Sequence, residues 1–211
     1  MPRSDKKPRS DKKPRSDKKP RSDRKRQILE AFALMLQSNP GTRITTAALA
    51  KEVGVSEAAL YRHFPSKAKM IDALLEFAEQ SVFSRIAVVL KEEANVQQRC
   101  YQILYLLLSF VEKNPGFARL LVGDALQGET DRLRVRVKQL FDRIETQLRQ
   151  IVREHQATMI ERPQLSARDT ANLLLSAAEG QINQFVRSEF RDMPTATWPQ
   201  HWSVLRQALV R

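Results

Sequence analysis

Apolar residues recur along this chain at spacings of three and four, in runs cut by proline and glycine, which is the pattern of successive amphipathic helices. Ile28, Leu29, Phe32, Ala33 and Leu36 mark the buried side of a first helix, which Ser22 or Asp23 can cap and Asn39-Pro40-Gly41 ends. Ala47, Ala48, Leu49 and Ala50 to Val53 form a second, capped by Thr45 or Thr46 and stopped by Gly54, where the missing Cβ tolerates a left-handed backbone. Ser56 caps a third, Glu57 to Phe64, which Pro65 cannot continue. From Pro65-Ser66 a long helix carries Met70, Ile71, Leu74, Leu75, Ala78, Val82, Ile86 and Val89 on one stripe. Val96 to Glu112 is apolar on most sides, Asn114-Pro115-Gly116 breaks it, and Phe117 to Val122 forms a short helix. Leu133, Val137, Leu140, Phe141, Ile144, Leu148 and Ile151 share one face of another long helix. After a loop at Arg162-Pro163, Ser166 to Asp169 resembles a capping box, and helices over about 167–191 and 198–210 close the chain. The predicted class is all-α, with a three-helix head at 22–65 and a larger helical domain at 66–211.

Two short helices joined by Val53-Gly54-Val55 form a helix-turn-helix, whose second helix can enter a major groove. Val55, Leu60 and Phe64 would hold the pair on a shared core, which leaves Ser56, Glu57, Ala59, Tyr61, Arg62 and His63 facing outward. Base reading then falls to Ser56, Glu57, Ala58, Ala59 and Arg62, since a Glu accepts from a cytosine amino group and Ala methyls touch thymine methyls. Thr45 and Thr46 add hydroxyl and N–H donors to phosphate. Spacing alone leaves a second reading open, a glycine-turned helix pair inside an ordinary bundle.

Composition is that of a soluble globular protein, with 42% hydrophobic and 28% charged residues in 211. The net charge of +12 is uneven: residues 2–26 hold thirteen Lys or Arg against four Asp, so the remaining chain is only mildly basic. Residues 2–25 are four copies of one hexapeptide, PRSDKK three times and then PRSDRK. With no apolar side chain in these repeats, residues 1–21 are expected to be a disordered arm. The arm reads either as a tolerated duplication or as a basic segment adding sequence-blind affinity for phosphates. The single cysteine, Cys100, excludes an intramolecular disulfide, suits a reducing cytoplasm and falls in an apolar run where a buried thiol is expected. No apolar N-terminal segment marks a signal peptide, and Ile103 to Val111 is too short to span a bilayer, so no membrane partner is expected. His63, His155 and His201 stand far apart, with no metal spacing, phosphate loop or nucleophile elbow. No catalytic residue, metal or cofactor is expected.

The stretch Leu60-Tyr61-Arg62-His63-Phe64-Pro65-Ser66-Lys67 resembles the signature of the TetR family of transcription regulators, over roughly Ile28 to Leu75. The resemblance implies a TetR-like fold, with the helix-turn-helix head on a C-terminal helical dimerisation domain, and it places Tyr61, His63 and Lys67 on the DNA backbone. The two closing helices carry more apolar face than one subunit covers, so Leu174, Ala178, Ile182, Phe185 and Val186 are expected at a homodimer interface. A symmetric dimer fits palindromic double-stranded DNA with recognition helices roughly 34 Å apart, with one or several dimers on a site.

A second set of segments narrows the resemblance: Leu133 to Glu154, Asn114-Pro115-Gly116, and Phe185-Val186-Arg187-Ser188-Glu189-Phe190 look like the nucleoid-occlusion branch of that family. The resemblance implies a cytoplasmic, nucleoid-associated protein that, when on DNA, antagonises assembly of the tubulin-like division protein FtsZ. It places the FtsZ C-terminal tail in a groove between the long linking helix and the central one, at the positions of Phe77, Leu106, Lys113 and Asn114. Lys113 stands where the family has Arg, which keeps the charge and gives up bidentate pairing. By the residues alone, Phe77 and Leu106 are as well read as core. Two other readings stay open, a ligand-responsive TetR-type repressor and a non-specific nucleoid protein driven by the basic arm.

Overall fold

The computed structural model describes residues 21–161 and 163–209. The arm expected at 1–21 lies outside them but for its last residue, as does Arg162 of the expected loop. The described chain forms α1 (Arg21–Ser38), α2 (Thr46–Val53), α3 (Glu57–His63), α4 (Lys67–Glu92), α5 (Val96–Lys113), α6 (Pro115–Leu121), α7 (Asp131–Gln156), α8 (Ala167–Arg187) and α9 (Trp198–Leu205). Single 3₁₀ turns follow at Asp124–Leu126 and Arg206–Leu209, and no strand occurs among the described residues.

Side-chain caps start five of these helices: Thr45, Ser56, Ser66, Asn95 and Ser166 each accept a hydrogen bond from the backbone N–H three residues on. One core runs through the whole molecule. Ile28, Phe32, Leu49 and Leu60 pack the head, and Met70, Ile71 and Leu75 of α4 continue it toward Cys100, Leu104, Ile144, Leu148 and Leu174. Burial pushes the Cys100 thiol up to about 12, so it stays protonated at any physiological pH. Where α6 crosses α1, a Cβ at Gly116 would overlap the carbonyl of Ala33, so only glycine permits this approach.

Along α4, Arg136 of α7 reaches both Asp72 and Glu79, Arg132 adds to Asp72, and Arg143 lies 3.8 Å from the Phe83 ring centroid. These contacts fasten α7 to α4, and α8 lies along α7. Trp198 and Trp202 seat α9, the Trp202 ring being 5.6 Å from that of Tyr101 on α5.

The structure departs from the sequence reading at several places. Helix α1 begins at Arg21, so Asp23 sits in its first turn instead of capping it. Helix α8 ends at Arg187, short of 191, because Glu189 and Phe190 take left-handed backbones at φ 53° and 65°. The Phe190 N–H then donates to the Phe185 carbonyl at 2.8 Å and its ring packs 5.2 Å from that of Phe185, which offsets the strain. Helix α9 stops at Leu205 and continues only as a 3₁₀ turn. Of the set expected at a dimer interface, Leu174, Ala178, Ile182 and Phe185 are buried inside the protomer and Val186 is half-buried against the same core. Their helix instead presents Leu173, Ser176 and Gly180 to solvent, with Ala177 half-exposed among them.

Candidate nucleic-acid interface and partner cleft

Gly54 ends α2 at φ 72°, donating its own N–H to Lys51 while Val55 N–H reaches back to the Ala50 carbonyl. This turn sets α3 across α2, with Leu60 buried beneath and Glu57, Ala58, Tyr61 and Arg62 exposed. A short chain of hydroxyls crosses between the two helices. Tyr61 Oη donates to Thr46 Oγ1 at 3.2 Å, and Thr46 Oγ1 donates to Glu57 Oε2 at 2.9 Å. Three residues predicted separately for DNA are thus one hydrogen-bonded unit on the outward face.

Ser56 and Thr45 are exposed but spend their side chains as caps, accepting from Ala59 and Ala48 N–H at 3.2 Å each. Ala59 and His63 are half-buried, while Arg62 makes no ion pair with any described residue. At the far end of α3, Lys25 of α1 places its ammonium 5.6 Å from the Phe64 ring centroid, so the start of α1 stands beside the recognition helix.

Lys67 occupies the first position of α4, behind its cap Ser66. Its side chain is only 16% exposed and its ammonium lies 2.9 Å from Glu129, itself 9% exposed. Around this pair runs a groove of about 450 Å³ lined by Arg43, Thr45, Thr46, Ser66, Lys67 and Glu129, with Ile44, Ala68 and Gly128. The N-termini of α2 and α4 both open onto it, and Arg43 and Lys67 supply its cations. Such a groove suits a phosphate, which accepts hydrogen bonds from helix-end N–H groups and charge from both side chains. Arg43 was missed in the sequence because it lies in the loop between α1 and α2, outside any periodic pattern; only its position two residues before the Thr45 cap hints at it.

The second predicted set is partly assembled. Lys113 and Asn114 line a cleft of about 360 Å³ with Phe117 and Gly116 of α6 and with Glu30, Ala33, Leu34 and Gln37 of α1. The wall opposite Lys113 is therefore α1, where the long linking helix was expected. Phe77 of α4 is 53% exposed and joins the cleft's edge through Phe117, ring centroids 5.9 Å apart. Phe110 meets Phe117 from the other side at 5.4 Å. Leu106 is half-buried, on the same face of α5 as Phe110 and Lys113, but does not line the cleft. The Asn114 amide donates to the Phe110 carbonyl at 2.8 Å, which fixes the side chain and leaves its own oxygen available.

Among the described residues no group of three or more His, Cys, Asp or Glu converges as a metal site, and no helix is long and apolar enough to cross a membrane.

Comparison with known proteins follows the same division of the chain. Residues 28–74 match the family described as bacterial regulatory proteins of the tetR family, and residues 94–210 match the SlmA-like tetracyclin repressor-like C-terminal domain. Over 186 residues the chain is 56% identical to the nucleoid occlusion factor SlmA of Marinomonas sp. (strain MWYL1), covering 88% of this chain and 94% of that one. It is 53% identical over 187 residues to SlmA of Shewanella woodyi, covering 89% and 95%. Among solved structures, FadR from Bacillus subtilis in complex with stearoyl-CoA superposes with a TM-score of 0.72 at 16% identity, over 85% of this chain and 96% of that one. The MbdR regulator from Azoarcus sp. CIB gives 0.73 at 19% identity, over 86% and 96%. At such identities these structures share the fold.

Proposed function

This chain belongs to the TetR family and, within it, to the SlmA nucleoid occlusion factors, and from that membership we propose that it binds palindromic chromosomal sites as a homodimer and, while on DNA, antagonises FtsZ polymerisation so that no septum forms over the nucleoid. It works as a DNA-binding protein, with no catalytic step, in the cytoplasm at the nucleoid.

In this reading Tyr61, His63, Thr45, Thr46 and Lys67 hold phosphates and fix the register of the head. Ser56, Ala58, Ala59 and Arg62 face base edges from α3, and Glu57 keeps one carboxylate oxygen free of Thr46 to accept from a cytosine. Dimerisation uses the outer face of α8 at Leu173, Ser176, Ala177 and Gly180. A Cβ built at Gly180 meets nothing within 4 Å, which leaves room for a partner helix to come close.

The observation that carries the FtsZ half is Phe77. A phenylalanine half-exposed beside a cleft that holds a lysine and an oriented asparagine is poorly explained as core. An extended peptide tail with an apolar residue and a carboxylate would place the first on Phe77 and Phe117 and pair the second with Lys113. Asn114 would accept a peptide N–H. Leu106 extends the apolar track along α5.

Sedimentation of GTP-assembled FtsZ tests this. Less polymer should pellet with the protein plus a duplex it binds specifically than with the protein alone. No difference, with DNA binding intact, would refute division inhibition and leave a TetR-type repressor.

A further inference from the structure

We propose that Glu129 is a resident stand-in for DNA phosphate: its carboxylate occupies the backbone-binding groove of the free protein and must yield Lys67 for the head to engage a duplex. The proposal rests on Lys67 being a DNA-backbone contact, as in the reading above.

The groove onto which α2 and α4 open has two cations, Arg43 and Lys67, and one carboxylate, Glu129, among its lining. An anion is thus already seated where a phosphate would sit, at 2.9 Å from the Lys67 ammonium and almost wholly out of solvent. Lys67 cannot serve both partners with full strength, because a carboxylate beside a bound phosphate adds like-charge repulsion at short range.

Glu129 lies outside the helices, between Gly128, left-handed at φ 73°, and Thr130, which precedes α7; a single 3₁₀ turn and a second left-handed glycine, Gly123 at φ 83°, come before it. A replacement partner for the displaced carboxylate is at hand, which avoids stranding a buried charge. The Arg43 guanidinium carbon lies 3.6 Å from where a Cβ of Gly128 would stand, next to Glu129, and Arg43 has no ion pair with any described residue. DNA binding is thereby a partner exchange, Lys67 from Glu129 to phosphate and Glu129 from Lys67 to Arg43.

The exchange has a visible consequence for affinity. With Glu129 present, one cation of the groove is always spent on the protein itself. Removing the carboxylate frees both Arg43 and Lys67 for the duplex.

The test uses the full chain and a duplex selected by the native protein from a random-sequence pool. Glu129→Gln should bind it roughly tenfold tighter, and the slope of log affinity against log salt should steepen by about 0.9, one additional phosphate contact. In a Lys67→Met background the gain from Glu129→Gln should shrink to what Arg43 alone supplies. A circular dichroism melt of each variant shows that it is folded before its affinity is compared. Glu129→Gln binding no tighter than the native chain overturns the proposal. A Lys67→Met variant that binds as tightly as the native chain removes the DNA contact of Lys67 itself and the proposal with it, while FtsZ antagonism is judged separately by sedimentation.

Discussion

Arg119 on α6 donates through Nη1 to the carbonyl of Leu36 at 2.9 Å, at the end of α1. The same nitrogen reaches the Asn39 carbonyl at 2.6 Å and Nε pairs with Asp124, so a guanidinium only 2% exposed satisfies carbonyls that the last turn of α1 leaves open. Head and body are thus joined by a buried fork. Arg119→Met should cost about 3 kcal/mol and lower the melting temperature by roughly 10 °C in a circular dichroism melt. Arg119→Lys should recover little of it, because an ammonium has no planar fork to span these acceptors.

In the proposed reading Phe77 and Asn114 contact the partner without supporting the fold. Phe77→Ala should leave the melting temperature and duplex affinity unchanged, since the ring is half-exposed. Anisotropy with a labelled FtsZ tail peptide should show at least about tenfold weaker binding, the scale of losing one buried aromatic anchor. Equal loss of DNA binding would make these positions structural.

On α8 the two faces make opposite predictions. Ala177→Arg, on the outer face, should yield a folded monomer in analytical ultracentrifugation with weaker binding to a palindromic duplex. Leu174→Ala, fully buried, should instead destabilise the protomer by about 3 kcal/mol, read from urea unfolding. A dimer intact in Ala177→Arg would move the interface elsewhere.

Acid should loosen the α4–α7 seam. Burial alone would raise the Asp72 carboxyl, but the hydrogen bond and charge of Arg136, then Arg132 and Lys69, outweigh it and hold Asp72 below the usual carboxylate range. A depressed carboxylate contributes stability that is present above its unfolded value, near pH 4, and lost as pH falls through the folded one. Stability measured by denaturant titration should therefore fall more steeply below about pH 4 in the native chain than in Asp72→Asn.

Much of the architecture was legible because its punctuation is local. Gly54, Pro65 and Asn114-Pro115 act on their own backbone, and the helices they delimit lie within a few residues of where the sequence puts them. Residues whose role depends on distant partners were not legible. Glu129 sits in a loop and finds Lys67 only through the fold, and Arg119 is hidden in a seven-residue helix between apolar neighbours. The burial of the expected dimer set inside the protomer was hidden for a related reason. Helix α8 has apolar residues on more than one side, so periodicity identified the side that faces α7 and the core and could not rank it against Leu173, Ala177 and Gly180. The left-handed pair Glu189 and Phe190 gave no warning, because neither residue type favours that backbone.

Lys67 and Phe77 stand on the same rod, α4, ten positions apart and so separated by about 15 Å along its axis. At physiological ionic strength the Debye length is about 8 Å, so a tail held at Phe77 lies roughly two such lengths from the phosphates that Lys67 would touch. The charge of the duplex is largely extinguished over that span. In the proposed reading, the influence of bound DNA on a tail at Phe77 arrives chiefly as displacement through packed protein, and should persist with added salt for as long as the duplex stays bound.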